Sequence, residues 1–428
     1  MVKIKFYGGT EEVGNVRITI ENAGKTLCLD YGTRHDGKDD DAAFPKVDYV
    51  AVSHGHLDHI GNLAYATKLN KCTKFIGTTV TRKLSEYQLN DILKIEERRR
   101  RGNEPVQPNP RDFALEDILD VVKNWIPTEY NKPVTLDGFE VKLANAGHIP
   151  GSSIIEVKSD KTRIVYTGDI NLEGNLNGDF PDLNAIEKNP TALIIESTYG
   201  GEERDTISKE EGKFIEYAED ALRKGKNLFV PAFAIERIQR VGYLLNRIRD
   251  AFPEYEFYIV SPSYMKVKDI AYGNLDLSKL TESARPPKDY RYRQSVMVST
   301  SGFCTGGWSK KILEDVIDNE NYTVILPSGF LPEGSPVKDA AEKGYIEIAY
   351  KNIRYKKKVR ADIKRVKLSA HSDMKGLRKI VETIAPAKTT EIYLVHGEPV
   401  SQQCLKTHLE SLGYKVKIPK KYEEVEYR

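Results

Sequence analysis

From Val2 to His54 the hydrophobic pattern is short and two-fold. VKIKFYGG, NVRITIENAG, KTLCLDYG and VDYVAVSH each alternate or run apolar and close on turn residues, which predicts strands. After SHGHLDHIG the period lengthens: GNLAYATKLN, LSEYQLNDILKIEERRRR and RDFALEDILDVVKNWI predict helices, the last two flanking the proline-bearing loop GNEPVQPNP. VTLDGFEVKLANAG, SSIIEVKS, TRIVYTGD and PTALIIEST return to a strand pattern bounded by Gly, Asp or Pro. From about Gly200 helix and strand patterns alternate through SKEEGKFIEYAEDALRKG, NLFVPAF, AIERIQRVGYLLNRIRDAF, EFYIVS, VMVSTSG, SKKILEDVID and YTVILPSG. That alternation predicts βαβ units around a mostly parallel sheet. A basic stretch, RYKKKVRADIKRVKLSAHSD, precedes a last αβα-like segment of MKGLRKIVETIAPAK, TEIYLVHGE and SQQCLKTHLESLGY.

The chain has 428 residues, enough for two or three domains at about 150 residues each. With 39% apolar residues and 31 glycines it can build a sizeable core, so disorder over most of its length is excluded. Lys and Arg number 65 against 63 Asp and Glu; at a net charge of +2, affinity for nucleic acid must come from a local basic patch. No apolar run is long enough to span a bilayer, and MVKIKFYGGTEEVG reaches Gly8 and Glu11 before an apolar leader can form. Neither a membrane span nor a signal peptide is expected, and a cytoplasmic location follows. Cys28, Cys72, Cys304 and Cys404 are isolated, so any metal must be held by histidines and carboxylates.

His54-Gly55-His56-Leu57-Asp58-His59 carries the strongest chemical signal. Just after a strand, extended backbone turns alternate side chains to one side, so His54 and His56 can reach one ion; the chain then bends into a helix, letting Asp58 and His59 face a second position. The bland alternative is a His-rich surface turn. Asp30, His148, Asp169 and His396 follow predicted strands in the same way, and loops at strand ends are where a sheet presents ligands. Singly, each reads more readily as a capping Asp or a satisfied turn His; their weight comes from occurring together.

SHGHLDHIG, AGHIPGS and TGD, with Asp30 ahead of them, resemble the motifs of the metallo-β-lactamase superfamily, and IIESTYG, LSAHSD and VHGE resemble the three additional motifs of its β-CASP nucleases. NLFVPAFAIERIQ and VMVSTSGFCTGG resemble further family blocks, so the likeness runs along nearly the whole chain. Within the family it is most similar to archaeal homologues of the endonuclease subunit of the cleavage and polyadenylation specificity factor. The resemblance implies an α/β protein, an αββα metallo-β-lactamase sandwich of residues 1–199 and 366–428 with an inserted α/β β-CASP domain at about 200–365. It implies two Zn²⁺ per chain, one held by His54, His56 and His148 and the other by Asp58, His59 and His396, with Asp169 bridging. Asp30 would stand behind them, orienting a ligand histidine through its other ring nitrogen. Two such ions lower the pKa of a bound water towards about 7 and neutralise charge on a phosphoryl oxygen. The departing oxygen still needs a proton, a task the resemblance assigns to His371 hydrogen-bonded to Glu196, since a carboxylate partner raises a histidine's pKa and fixes its tautomer. With Asp58 these make the catalytic set. Taken by itself, His371 reads equally well as the cap of a helix starting near Ser372-Asp373.

In this family the final motif carries His in RNA-processing members and usually an apolar residue in DNA-repair members, so His396 implies RNA. Arg354 to Lys367 contains eight Lys or Arg and one acid. Lys356, Lys357, Lys358 and Arg360 are candidates to line the path of a single strand between two domains, with Tyr355 stacking; a solvated pair of charged strands is the alternative. Ser301-Gly302, Gly306-Gly307 and Ser328 lie in turns whose N–H groups can meet phosphates, although ordinary turns explain them equally well. Gly334-Ser335-Pro336-Val337-Lys338 departs from the family's G-T-x-G-R/K pattern. Arg98 to Arg101 read as a helix end, and His35 with GKDDD as a solvated loop. The expected function is zinc-dependent hydrolysis of single-stranded RNA, internally or 5′→3′, leaving 5′-phosphate and 3′-hydroxyl ends, with a homodimer implied by resemblance. The alternatives are a dizinc small-molecule hydrolase of thioesterase or lactonase type, and a non-catalytic RNA-binding subunit.

Overall fold

Val2, Ile4 and Phe6 alternate with half-buried residues along the strand Val2–Gly8, and this two-fold pattern aims them into a core between two sheets. The structure is a computed structural model that describes residues 1–34, 44–101, 113–350 and 353–428; the side chains of 98–101 and the expectations for His35 and GNEPVQPNP lie outside the described residues. The first sheet has seven strands in the order Glu424–Tyr427, Val2–Gly8, Arg17–Asn22, Lys25–Leu29, Tyr49–Ala51, Lys74–Gly77 and Trp125–Pro127. The second, also of seven, runs Lys415–Lys417, Glu391–Val395, Ala192–Glu196, Thr162–Tyr166, Ser153–Ser159, Phe139–Asn145 and Val134–Leu136.

Both sheets are covered on both faces, which is why several strands read as unbroken apolar runs. Leu27 and Leu29 enter the inter-sheet core while Cys28 packs outward under the helices Leu63–Leu69 and Leu115–Lys123. Ala192 and Ile194 face inward in the same way, and Leu193 and Ile195 pack outward against Met374–Ile384 and Pro399–Ser411. The outcome is the expected αββα sandwich, in a compact unit of residues 1–203 and 370–428.

Residues 204–369 form a second compact unit. Its six strands are parallel throughout, in the order Thr281–Ser283, Glu256–Val260, Ser295–Ser299, Asn227–Pro231, Tyr322–Leu326 and Asp362–Arg365. Ile207–Arg223, Arg237–Ile248 and Pro262–Ala271 cover one face; Gly307–Val316 and Pro336–Lys343 cover the other together with a hairpin of Tyr345–Tyr350 and Ile353–Lys358.

Two expectations change. The helix predicted through Ile126 stops at Lys123, and Trp125–Pro127 becomes an edge strand on Lys74–Gly77. Trp125 stacks on Phe75 with centroids 6.0 Å apart and donates its indole N–H to the Gly77 carbonyl at 3.0 Å, so tertiary contacts override the helical period. The strands Lys415–Lys417 and Glu424–Tyr427 carry too few apolar residues to show in the pattern, yet they close one edge of each sheet.

Phe6 is fully buried between the sheets, its ring 5.4 Å from that of Tyr393. Phe6→Ala is expected to destabilise its unit by about 3–5 kcal/mol, read as a lower denaturation midpoint; an unchanged midpoint would refute this placement of the core.

Candidate metal centre

The direction of the strands gathers the site. Thr162–Tyr166, Ala192–Glu196 and Glu391–Val395 are parallel, and two antiparallel steps through Ser153–Ser159 bring Phe139–Asn145 into the same direction. The loops carrying His148, Asp169 and His396, and the strand end carrying Glu196, therefore emerge at one end of the second sheet. Lys25–Leu29 and Tyr49–Ala51 are parallel too, and deliver Asp30 and His54 at one end of the first. The turn before Asp169 requires glycine: Gly168 has φ +54°, and a Cβ there would stand 2.7 Å from that of Ser53.

His56 Nδ1 stands 3.0 Å from His54 Nε2 and 3.1 Å from His148 Nε2, and Asp169 Oδ2 lies 3.4 Å and 3.6 Å from those two Nε2 atoms. The other oxygen of Asp169, Oδ1, faces His59 Nε2 at 3.3 Å. Asp58 Oδ2 completes that second group, 3.2 Å from His396 Nε2 and 3.8 Å from His59 Nε2. Donors about 2.0–2.2 Å from a tetrahedral ion stand roughly 3.3–3.6 Å apart, so both groups have the spacing of a coordination shell. His59 Nε2 and Asp169 Oδ1 are buried without a hydrogen-bond partner, a costly state that a cation relieves. These seven side chains can hold metal, with Asp169 presenting one oxygen to each group.

The far side of each ring explains why its inner nitrogen is open. His148 Nδ1 lies 2.7 Å from the Ala370 carbonyl, which can only accept, so the proton is on Nδ1 and Nε2 carries a lone pair. His59 Nδ1 donates to Asp30 Oδ2 at 2.7 Å. Asp30 also accepts from the Ser53 N–H at 2.7 Å, the Ser53 hydroxyl at 2.7 Å and the Tyr166 hydroxyl at 2.8 Å, which commits both its oxygens to protein donors. Ser53, having given its proton to Asp30, accepts from His54 Nδ1 at 3.0 Å. Thr198 repeats the device: its hydroxyl donates to the His396 carbonyl at 3.2 Å and accepts from His396 Nδ1 at 2.9 Å. Ser53, Tyr166, Thr198 and the Ala370 carbonyl escape sequence reasoning; the one signal was a hydroxyl residue beside a motif histidine or carboxylate, at Ser53 and Thr198.

Burial drives His54 and His148 well below the ordinary histidine range and brings His56 down to about 4. At His59 burial also lowers the pKa, but the carboxylates of Asp169, Asp58 and Asp30 outweigh it and hold the ring well above its ordinary value. His396 is raised because Asp169 and Asp58 overcome its burial. For Asp169 burial favours the neutral acid, yet the histidines around it, His396 first, keep it well below the usual carboxylate range.

His371 stands beside these groups. Its Nε2 is 3.8 Å from Asp169 Oδ2, its Nδ1 is 2.9 Å from both oxygens of Glu196, and Glu196 Oε1 also accepts the Ile170 N–H at 2.8 Å. Its side chain is 19% exposed against 0% for His59, so it faces the open side of the cluster. The helix Met374–Ile384 is capped by Asp373, which accepts from the Gly376 N–H; the capping reading of His371 is set aside.

The RNA-contact candidates of the second unit do not come together. Ser301, Gly302, Gly306, Gly307 and Ser328 follow the C-terminal ends of Ser295–Ser299 and Tyr322–Leu326. Lys356, Lys357, Lys358 and Arg360 precede the N-terminal end of Asp362–Arg365, a strand parallel to those, and so belong to the opposite end of the sheet. Ser328 hydrogen-bonds the Phe330 carbonyl at 2.7 Å, and Lys357 is tied to the Glu314 carbonyl at 2.6 Å and to Asp318 at 2.8 Å. Strand direction therefore places the basic stretch and the glycine turns at opposite ends of this sheet.

Removing the acceptor behind a ligand histidine commonly lowers metal affinity about 10–100-fold. Thr198→Val is expected to fall in that range in competition with a chromogenic chelator, while Thr198→Ser keeps wild-type affinity; a valine variant that competes as well as wild type would refute the role of this hydroxyl.

The family model of the metallo-beta-lactamase superfamily matches residues 38–194, and the model described as a Zn-dependent metallo-hydrolase RNA specificity domain matches 356–419. The chain is 30% identical to RNase aCSPSF2 of Saccharolobus solfataricus over 99% of its own length and 85% of that protein's. It is 26% identical to the probable RNase MJ4 of Methanocaldococcus jannaschii, covering 99% of this chain and 100% of the relative, and 26% identical to Integrator complex subunit 11 of Danio rerio, covering 96% and 71%. A crystal structure of an Enterococcus faecalis V583 protein of unknown function aligns over 99% of both chains with a TM-score of 0.58 at 14% identity, a likeness of fold alone. With its histidine and aspartate groups gathered at the strand ends of an αββα sandwich, the chain belongs to the β-CASP ribonucleases of the metallo-β-lactamase superfamily.

Proposed function

We propose that this chain is a two-zinc ribonuclease that hydrolyses phosphodiester bonds of single-stranded RNA in the cytoplasm and leaves 5′-phosphate and 3′-hydroxyl ends. The observation that carries this reading is Asp169, whose two oxygens face two separate groups of ligand atoms with the His371–Glu196 pair beside them. His54, His56, His148 and Asp169 would hold one ion, and Asp58, His59 and His396, again with Asp169, would hold the other. The donor set, all imidazole and carboxylate, suits zinc. When bound, the pair of ions supplies the Lewis-acid charge that activates water and offsets the negative charge growing on the phosphoryl oxygens.

The chain's own groups supply the rest. Asp169 spans both groups and fixes how far apart they stand. Asp30, Ser53, Thr198 and the Ala370 carbonyl hold the ligand rings in one tautomer, so no reorganisation is required when charge develops. Glu196 pins Nδ1 of His371, leaving Nε2 on the open side to give a proton to the departing ribose 3′-oxygen. A thioesterase reading leaves this pair without a task, because a thiolate departs without needing a proton.

His371→Ala is expected to keep its metal and lose cleavage about 10²–10⁴-fold, while Asp58→Asn loses metal. End-labelled RNA incubated with and without chelator reads the activity, and elemental analysis reads the metal. Cleavage that survives the chelator, or a His371→Ala protein without metal, would overturn these roles.

A further inference from the structure

The hairpin of the second unit has two unlike faces. Tyr345, Glu347 and Ala349 pair with Lys358, Lys356 and Arg354, and these six share one face; Ile346 and Ile348 share the other and are buried against the unit's core. Arg354, Lys356 and Lys358 therefore point outward and are exposed, and exposed Arg360 continues the same alternation along the chain. Among the described residues, none of these four cations has a carboxylate within ion-pair distance. Lys356 sits 4.1 Å from the centre of the Tyr345 ring, and Glu347 is an acid opposite it.

Alternate residues of a strand are roughly 6.6 Å apart, close to the spacing of successive phosphates in an extended single strand. Tyr355 pairs with Ile348 and so belongs to the other face of the hairpin. Evenly spaced cations along one strand are what the phosphate backbone of a single strand engages. An acidic protein surface has no reason to match the spacing.

We propose that this end of the second unit is a further binding surface for single-stranded RNA, formed by Arg354, Lys356, Lys358 and Arg360, at the opposite end of the parallel sheet from the Ser301 and Gly306 turns. It deepens the ribonuclease reading and rests on it for the choice of RNA. The surface holds the strand without cutting it, because it lies in a unit that contributes none of the seven clustered metal ligands.

The test is fluorescence anisotropy of labelled oligouridine with the full chain in chelator, over a range of salt. The triple variant Arg354→Thr, Lys356→Thr, Lys358→Thr is expected to bind about 10-fold or more weakly, with the slope of log K against log salt shallower by about 2. Lys356→Arg with Lys358→Arg is expected to keep both, which separates lost charge from lost folding. A triple variant with unchanged affinity and slope overturns the proposal. So does one that shifts a dimer to monomer in sedimentation while binding RNA normally, since the face then belongs to a second copy. Failure of zinc-loaded wild type to cut RNA, with binding lost as expected in the triple variant, strikes the ribonuclease reading and leaves the surface standing.

Discussion

The centre depends on where each imidazole keeps its proton. Four of the five clustered ligand histidines turn Nδ1 towards an acceptor that is not part of the cluster: the Ala370 carbonyl, Asp30, the Ser53 hydroxyl and the Thr198 hydroxyl. Were any of these acceptors missing, the proton could sit on the inner nitrogen, and a buried N–H would point at other donors instead of a lone pair pointing at an ion. His56 is the exception. It presents Nδ1 inward, between the Nε2 atoms of His54 and His148, so the three lone pairs that crowd together come from rings of two orientations.

Such crowding is tolerable only with charge to match it. Burial keeps His54, His56 and His148 neutral, while Asp169 and Asp58 place anionic oxygens where the remaining rings face them. The orphaned Asp169 Oδ1 and His59 Nε2 show that the protein alone does not satisfy the arrangement. An active site of this kind departs from the rule that buried polar groups are paired, and the departure marks the place where a cation belongs.

Much of this was legible before any coordinates. The H-x-H-x-D-H run, the glycine before Asp169 and the strand patterns ahead of Asp30, His148 and His396 all survive in the sequence because metal chemistry and tight turns restrict residue type. What was not legible is what residue type does not restrict. A backbone carbonyl such as that of Ala370 has no signature, and Tyr166 looks like an ordinary strand residue. Direction was equally hidden: hydrophobic period identifies a strand but not which end faces a neighbour, so it does not reveal that the parallel sheet sets the basic stretch and the glycine turns of the second unit at opposite ends.

The insertion is compatible with so exact a site because of where the chain leaves and returns. Tyr199 and Asp373 form a parallel bridge, and the Met374 N–H bonds the Glu202 carbonyl at 2.9 Å, so the ends of the interruption are clamped side by side within the first unit. For the first unit the interruption acts as a long loop whose closure cost grows only slowly with length. The returning segment is nonetheless indispensable: it supplies His371 and His396, and its strand Glu391–Val395 lies inside the second sheet between Ala192–Glu196 and Lys415–Lys417. No metal centre can form until residues on both sides of the inserted unit have met. The chemistry is therefore coupled to completion of the whole first unit, while the inserted unit contributes none of the seven clustered ligands.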